Sequence, residues 1–166
     1  MTEEDEESWF KREALHLAAG DGDLCRVKEL LEEGYPINAF DDLSRAPLHH
    51  AAQKEHLAVV RYLIAAGADV NAHEEERIGD TVLKHVAETC SLQLAKILLD
   101  AGADPTIPGW MQLTALDKSV NREAFEGPDV HRLLLEAASS LRNPHWPRLD
   151  ELSERGKKRG RKQHKA

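Results

Sequence analysis

The sequence predicts an all-α solenoid of stacked helix–turn–helix repeats, and three observations predict it. The chain of 166 residues repeats itself at a period near 33 residues. Each copy carries two short apolar stripes at helical spacing. Aromatic residues are only 5% of the total, so the core must be built from Leu, Ala, Val and Ile, whose small members let helix backbones approach and disfavour an all-β fold.

The first copy reads ALHLAAGDGDLCRVKELLEEGYPINA over residues 14–39 and the second PLHHAAQKEHLAVVRYLIAAGADVNA over 47–72, so that Leu15 aligns with Leu48, Gly34 with Gly67 and Asn38 with Asn71. The third, from Val82 to Ile107, is displaced by 35 residues because HEEERIGD is two residues longer than its counterpart. The fourth is weaker: TALDKSV from Thr114, an enlarged loop NREAFEGPD, then VHRLLLEAA.

Within a copy, Leu48, Ala51 and Ala52 fall at i, i+3 and i+4 on one helix, and Val60, Leu63 and Ile64 do the same on a second. Gly34, Gly67 and Gly102 each follow an apolar turn, where a residue with positive φ ends a helix at low cost. No single copy can bury both stripes. Stacking neighbours does so, at ~1.5–3 kcal/mol per fully buried side chain, which is the logic of a solenoid.

Ala46-Pro47-Leu48-His49-His50-Ala51-Ala52, with Ala65-Ala66-Gly67-Ala68-Asp69-Val70-Asn71-Ala72, closely resembles the ankyrin repeat pattern of TPLHxAA followed by xxGADVNA. The resemblance covers roughly residues 9–141. It implies L-shaped repeats whose helix pairs form a body and whose β-turn fingers project from it, with a concave face lined by fingers and first helices. It also implies that His16 and His49 bond the backbone of a neighbouring finger. Lys84 and Asp117 replace that His in the third and fourth copies, which puts the bond in question there. In the fourth copy Ala137 stands where Gly would be, so the last helix is expected to run on toward Leu141, until Asn143-Pro144 stops it.

The resulting organisation is an acidic, disordered N-terminus (1–8), a repeat domain (9–142; repeats about 12–40, 41–73, 74–108 and 109–141), a capping or linker segment (143–154) and a basic, disordered tail (155–166). Trp9 and Phe10 are expected to cover the exposed first repeat. Trp146, between two prolines, reads either as packing on the last repeat or as a short linear motif. The tail GKKRGRK resembles a nuclear-import signal in a nucleated cell, and otherwise reads as a nucleic-acid or acidic-surface contact or a solubilising tail.

The net charge of −8 divides into five acids in 2–8, seven bases in 155–166 and a body at −10. So acidic a body repels phosphate backbones, confining nucleic-acid contact to the tail and favouring protein partners with basic surfaces. Two cysteines, Cys25 and Cys90, signal neither a disulfide framework nor a zinc knuckle, and His73-Glu74-Glu75-Glu76 reads as a solvated acidic loop. No apolar run approaches the ~18 residues that span a bilayer. There is no GxSxG, GxGxxG, Walker or HExxH motif. The expectation is a cytoplasmic (nuclear, if eukaryotic) monomer that is not an enzyme and needs no metal or cofactor.

The positions that do not build the repeat are left to bind another protein. They are Phe40, Asp42, Leu43 and Arg45 with Gln53 and Lys54; Arg77, Ile78 and Asp80 with Glu88; and Trp110, Met111 and Leu113 with Arg122. Apolar residues at successive finger tips would form a stripe of the kind that centres protein interfaces. The alternative is that Trp110 and Met111 pack between fingers.

Overall fold

The computed structural model describes residues 13–74, 79–120 and 127–141. Among these residues the regular structure is helical: α1 (13–21), α2 (Leu24–Glu32), α3 (Pro47–Gln53), α4 (Leu57–Ala65), α5 (Val82–Val86), α6 (Leu92–Asp100), α7 (Ala115–Ser119) and α8 (Gly127–Ser140), with a single 3-10 turn at Trp110–Gln112. The odd-numbered helices are the first helices of their repeats, and α3, α5 and α7 pack side by side in one row. The second helices form the other layer, α2 against α4 and α6 against α8. Trp9 and Phe10, the extended third-finger tip Glu75 to Ile78, and residues 142–166 lie outside the described residues.

The core lies between the two rows. Leu15, Leu48, Leu83 and Leu116 from the first helices meet Val27, Leu30, Val60, Leu63, Ala95 and Leu98 from the second, all buried. Ala18, Ala19, Ala51, Ala52 and Ala87 are buried in the same core, where a small side chain leaves room for a neighbouring helix. In the fourth repeat the buried stripe is Val130, Leu134 and Ala138, spaced by four residues.

Three second helices end alike. Gly34, Gly67 and Gly102 have φ of +91°, +95° and +91°. In each, the glycine N–H and the next N–H return to carbonyls of the last turn, as in Gly67 to Ile64 O (3.0 Å) and Ala68 to Leu63 O (2.9 Å). That is the left-handed cap which satisfies carbonyls orphaned at a helix end. With Ala137 in that place, α8 continues to Ser140, and the Leu141 N–H closes on Ala137 O at 3.2 Å.

Neighbouring repeats are stitched by side chains as well as by apolar burial. Asn38 Oδ1 accepts the Asp69 N–H (2.9 Å), and Asn71 Oδ1 accepts the Asp104 N–H (2.8 Å), one repeat further on. At the opposite end of the helices the His56 ring donates to Gly20 O (3.0 Å). Glu55, held at φ +56°, accepts the backbone N–H of Ser91, the cap of α6. Gly22, at φ +76°, packs against the His56 ring so closely that a Cβ there would lie 2.6 Å from Nδ1.

Candidate functional site: the finger and inner-helix face

The second finger is organised by one carboxylate. Asp41 Oδ1 accepts the N–H groups of Leu43 and Arg45 (both 2.9 Å), while Oδ2 accepts from the Arg45 guanidinium (Nε 3.1 Å, Nη2 2.9 Å) and the His50 ring (2.9 Å). Burial alone would raise the Asp41 pKa. The Arg45 N–H, the His50 ring and the guanidinium outweigh it and hold the group down at about 2. The finger is thus closed by its own side chain, with Asp41 N–H on Arg45 O (2.9 Å) and Ser44 N–H on Asp41 O (3.0 Å) across a Ser44 at φ 59°.

The fourth finger repeats this turn with different residues. Gly109 N–H bonds Leu113 O and Gln112 N–H bonds Gly109 O, both at 3.0 Å, with Met111 and Gln112 at φ 60° and 58°. Alignment places Met111 where Leu43 stands, and the two are 66% and 67% exposed. Leu113 is exposed as well. The Met111 side chain therefore projects from the fourth finger and is not packed between fingers.

Of the other expected contact residues, Asp42, Gln53, Lys54 and Glu88 are exposed and Phe40 is half-buried. Arg77, Ile78, Arg122 and the Trp110 side chain lie outside the described residues. Arg45 and Asp80 require correction as free charges. Arg45 is committed to Asp41, and Asp80 carries the Lys84 ammonium on Oδ1 (2.5 Å), with Lys118 at 3.8 Å from Oδ2. Both pairings arise across a turn at i, i+4, where contact depends on finger geometry that composition does not reveal.

The two histidines act as the resemblance implied. The His16 ring donates to Ala39 O (2.9 Å) at the root of the second finger. His49 Nδ1 accepts the Ala46 N–H (3.1 Å), and its Nε2 donates to Asp80 O in the third finger (2.8 Å). Burial, with smaller effects from neighbouring charges, lowers the His49 pKa to about 4, so the ring is neutral and keeps the tautomer these bonds need.

Lys84, in the equivalent place of the third repeat, is 1% exposed. Its ammonium reaches the underside of the fourth finger, where a Cβ on Gly109 would run into both Lys84 and Asp80. The Lys84–Asp80 pair thus lies within the third repeat, and the fourth repeat meets it through Gly109 packed over both side chains and Lys118 at 3.8 Å from Asp80. Asp117 turns back to cap α7, accepting from Thr114 N (3.0 Å) and Oγ1 (2.8 Å).

Along the first helices the residue after each of these positions forms a column facing the fingers: Leu17, His50, His85 and Lys118. Leu17 is 58% exposed. Sequence reasoning passed over this column, although its position beside the His motif in every copy marks it. Between the second and third fingers a pocket of ≈ 230 Å³ is lined by Leu43, Ser44, Arg45, His49, Asp80 and His85. Among the described residues no group of three or more His, Cys, Asp or Glu converges as a metal site would require, and no helix is long and apolar enough to cross a membrane.

These features define a helical repeat solenoid that presents hydrogen-bonded turns and one row of helices on a single face. The chain carries ankyrin repeats: residues 2–74 match the family described as ankyrin repeats (3 copies), and the stack of helix pairs is of the ankyrin type. Palmitoyltransferase AKR1 of Lachancea kluyveri is 37% identical over 109 residues, covering 64% of this chain and 15% of that protein. Palmitoyltransferase Hip14 of Drosophila melanogaster is 35% identical over 86 residues (52% and 13%). The B-cell lymphoma 3 protein homolog of Mus musculus is 38% identical over 92 residues (55% and 20%). The chain matches a fifth or less of the length of each of these relatives. Ankyrin repeats are generally protein-interaction modules and are typically non-catalytic in themselves.

Proposed function

We propose that this chain binds another protein along its finger tips and inner helices, as a scaffold, adaptor or inhibitor, and carries no catalytic role of its own. The observation that carries this reading is the pair Leu43 and Met111. Two apolar side chains, each about two-thirds exposed, stand at equivalent tips of turns closed by equivalent hydrogen bonds. Exposed apolar groups held on ordered backbone suit a partner, because little conformational entropy is lost when they are covered. Trp110, beside Met111 in the sequence, is of the residue type most enriched at interface centres. The protein works as a monomer in the cytoplasm, and its acidic body steers it toward basic surfaces.

The test begins with capture of the partner from the source cells, followed by binding measurements with both proteins purified. Leu43→Ala/Met111→Ala is expected to weaken binding by about 1–2 kcal/mol, roughly tenfold, at unchanged stability. Affinity unchanged in that double variant would overturn the reading. A second reading, association with nucleic acid, draws on the seven bases in residues 155–166. Its mark is salt-dependent retention on DNA or RNA that disappears when those residues are removed.

A further inference from the structure

The pocket between the second and third fingers contains polar groups that the fold does not use. Arg45 gives Nε and Nη2 to Asp41, which leaves Nη1 without a bond among the described residues. The half-buried His85 ring touches His49 edge to face (centroids 5.9 Å apart) and makes no hydrogen bond among the described residues. Both donors line an open pocket, where a ligand's acceptor can take the place of water. Leu43 forms the outer lip.

The charges around the ring come from every element packed on it: Arg45 from the second finger, His49 and His50 from α3, Asp80 from the third finger and Lys118 from α7. Burial lowers the His85 pKa, and Arg45 and Lys118 lower it further while Asp80 opposes them. The Asp80 charge is itself held by Lys84 and Lys118, and Glu74 is turned onto the Ser44 hydroxyl. An incoming carboxylate therefore meets two donors that no described residue engages, and the Asp80 carboxylate beside them is already paired with lysines.

We infer that this pocket takes a partner's Asp or Glu side chain, its carboxylate accepting from the His85 ring and Arg45 Nη1 while the residue before it lies on Leu43. The inference rests on the protein-binding reading and names the chemistry that this part of the face selects. It also qualifies the preference for basic partners: the body steers a basic surface in, and this pocket reads one acid within it.

The test uses the full chain, with the histidine ring resonances followed by NMR through pH titrations. The probes are three blocked or part-blocked peptides: acetyl-Leu-Asp-Gly-amide, acetyl-Leu-Asn-Gly-amide, and acetyl-Leu-Gly with a free C-terminal carboxylate. The Asp peptide is expected to raise the apparent pKa of His85, because a carboxylate favours the imidazolium. It should bind roughly tenfold tighter than the Asn peptide, the usual scale for a hydrogen bond to a charged group. His85→Phe, which removes the ring donor and keeps Arg45 Nη1, should narrow that preference without abolishing it. Equal binding of the Asp and Asn peptides, or a His85 resonance indifferent to both, overturns the assignment. So does a response to the free C-terminal carboxylate alone. None of these outcomes bears on whether Leu43 and Met111 anchor a partner, so the two readings fail separately.

Discussion

The junction between the second and third repeats and the junction between the third and fourth hold successive fingers by opposite means. At the first, a neutral imidazole, His49, spends both nitrogens on backbone: one caps its own helix and the other donates to Asp80 O in the next finger. At the second, Lys84 carries a charge into a site that is 1% exposed and neutralises it on Asp80, directly beneath Gly109. Asp80 belongs to both, its backbone to the histidine and its carboxylate to the lysine. One junction is therefore a hydrogen bond between repeats, and the other a finger packed on an ion pair of the repeat before it, which requires that the facing finger make room. The second finger keeps Asp41 at the position where the fourth has Gly109.

The comparison is broken most severely at the lysine. Lys84→Ala removes one partner of a buried pair and is expected to cost about 3–5 kcal/mol, read as a lower midpoint in urea unfolding. A loss below ~1 kcal/mol would mean that the buried pair does not contribute to the stability of the stack.

Acid should act on the histidine junction next most strongly. The folded pKa of His49, about 4, lies below the ordinary 6.5. The unfolded chain thus binds the extra proton between these values, and stability present above pH 6.5 is lost as pH falls toward 4, by on the order of 2–3 kcal/mol. Asp41, lowered from 3.8 to about 2, continues the loss over that lower window. Melting temperature measured from pH 7 to 4 should fall, and amide exchange near Asp80 should accelerate before that in the fourth finger. A flat profile across that range would refute the histidine assignment.

A smaller effect sharpens the steric side of the contrast. Gly109→Ala places a methyl group against Lys84 and Asp80 and is expected to cost about 1–3 kcal/mol, the usual scale of overpacking. Thermal unfolding checks it, and Lys84→Ala/Gly109→Ala should cost less than the sum of the two single changes, because they share a contact. Smallest of all, Leu43→Ala and Met111→Ala should each shift stability by no more than ~0.5 kcal/mol, since neither side chain is in the core. A larger drop would show that a tip packs within the fold.

The parts of the fold legible in the sequence were those with a local or periodic cause. Gly34, Gly67 and Gly102 could be placed at helix ends because a left-handed backbone has few tenants. The Leu and Ala positions followed from helical spacing, and His16 and His49 from a motif. The candidate site was legible only as a set of positions. That Arg45 spends Nε and Nη2 on Asp41 but keeps Nη1, that Asp80 is taken by Lys84 and Lys118, and that His85 has no hydrogen bond among the described residues depends on how far each side chain reaches between fingers. Leu17 escaped notice because an exposed Leu on a helix looks like core until its neighbours are placed.

By itself, then, the sequence determined the number of repeats, the ends of the second helices and the apolar stripes that must be covered, because these follow from backbone preference and periodicity within about 33 residues. The tertiary structure decided which charges are spent and which stay open. It turned Lys84 from a doubtful substitution into a buried clasp and left the Met111 side chain outside the packing between fingers. Those outcomes are settled by distances between groups in different repeats, and only stacking brings such groups within reach of one another.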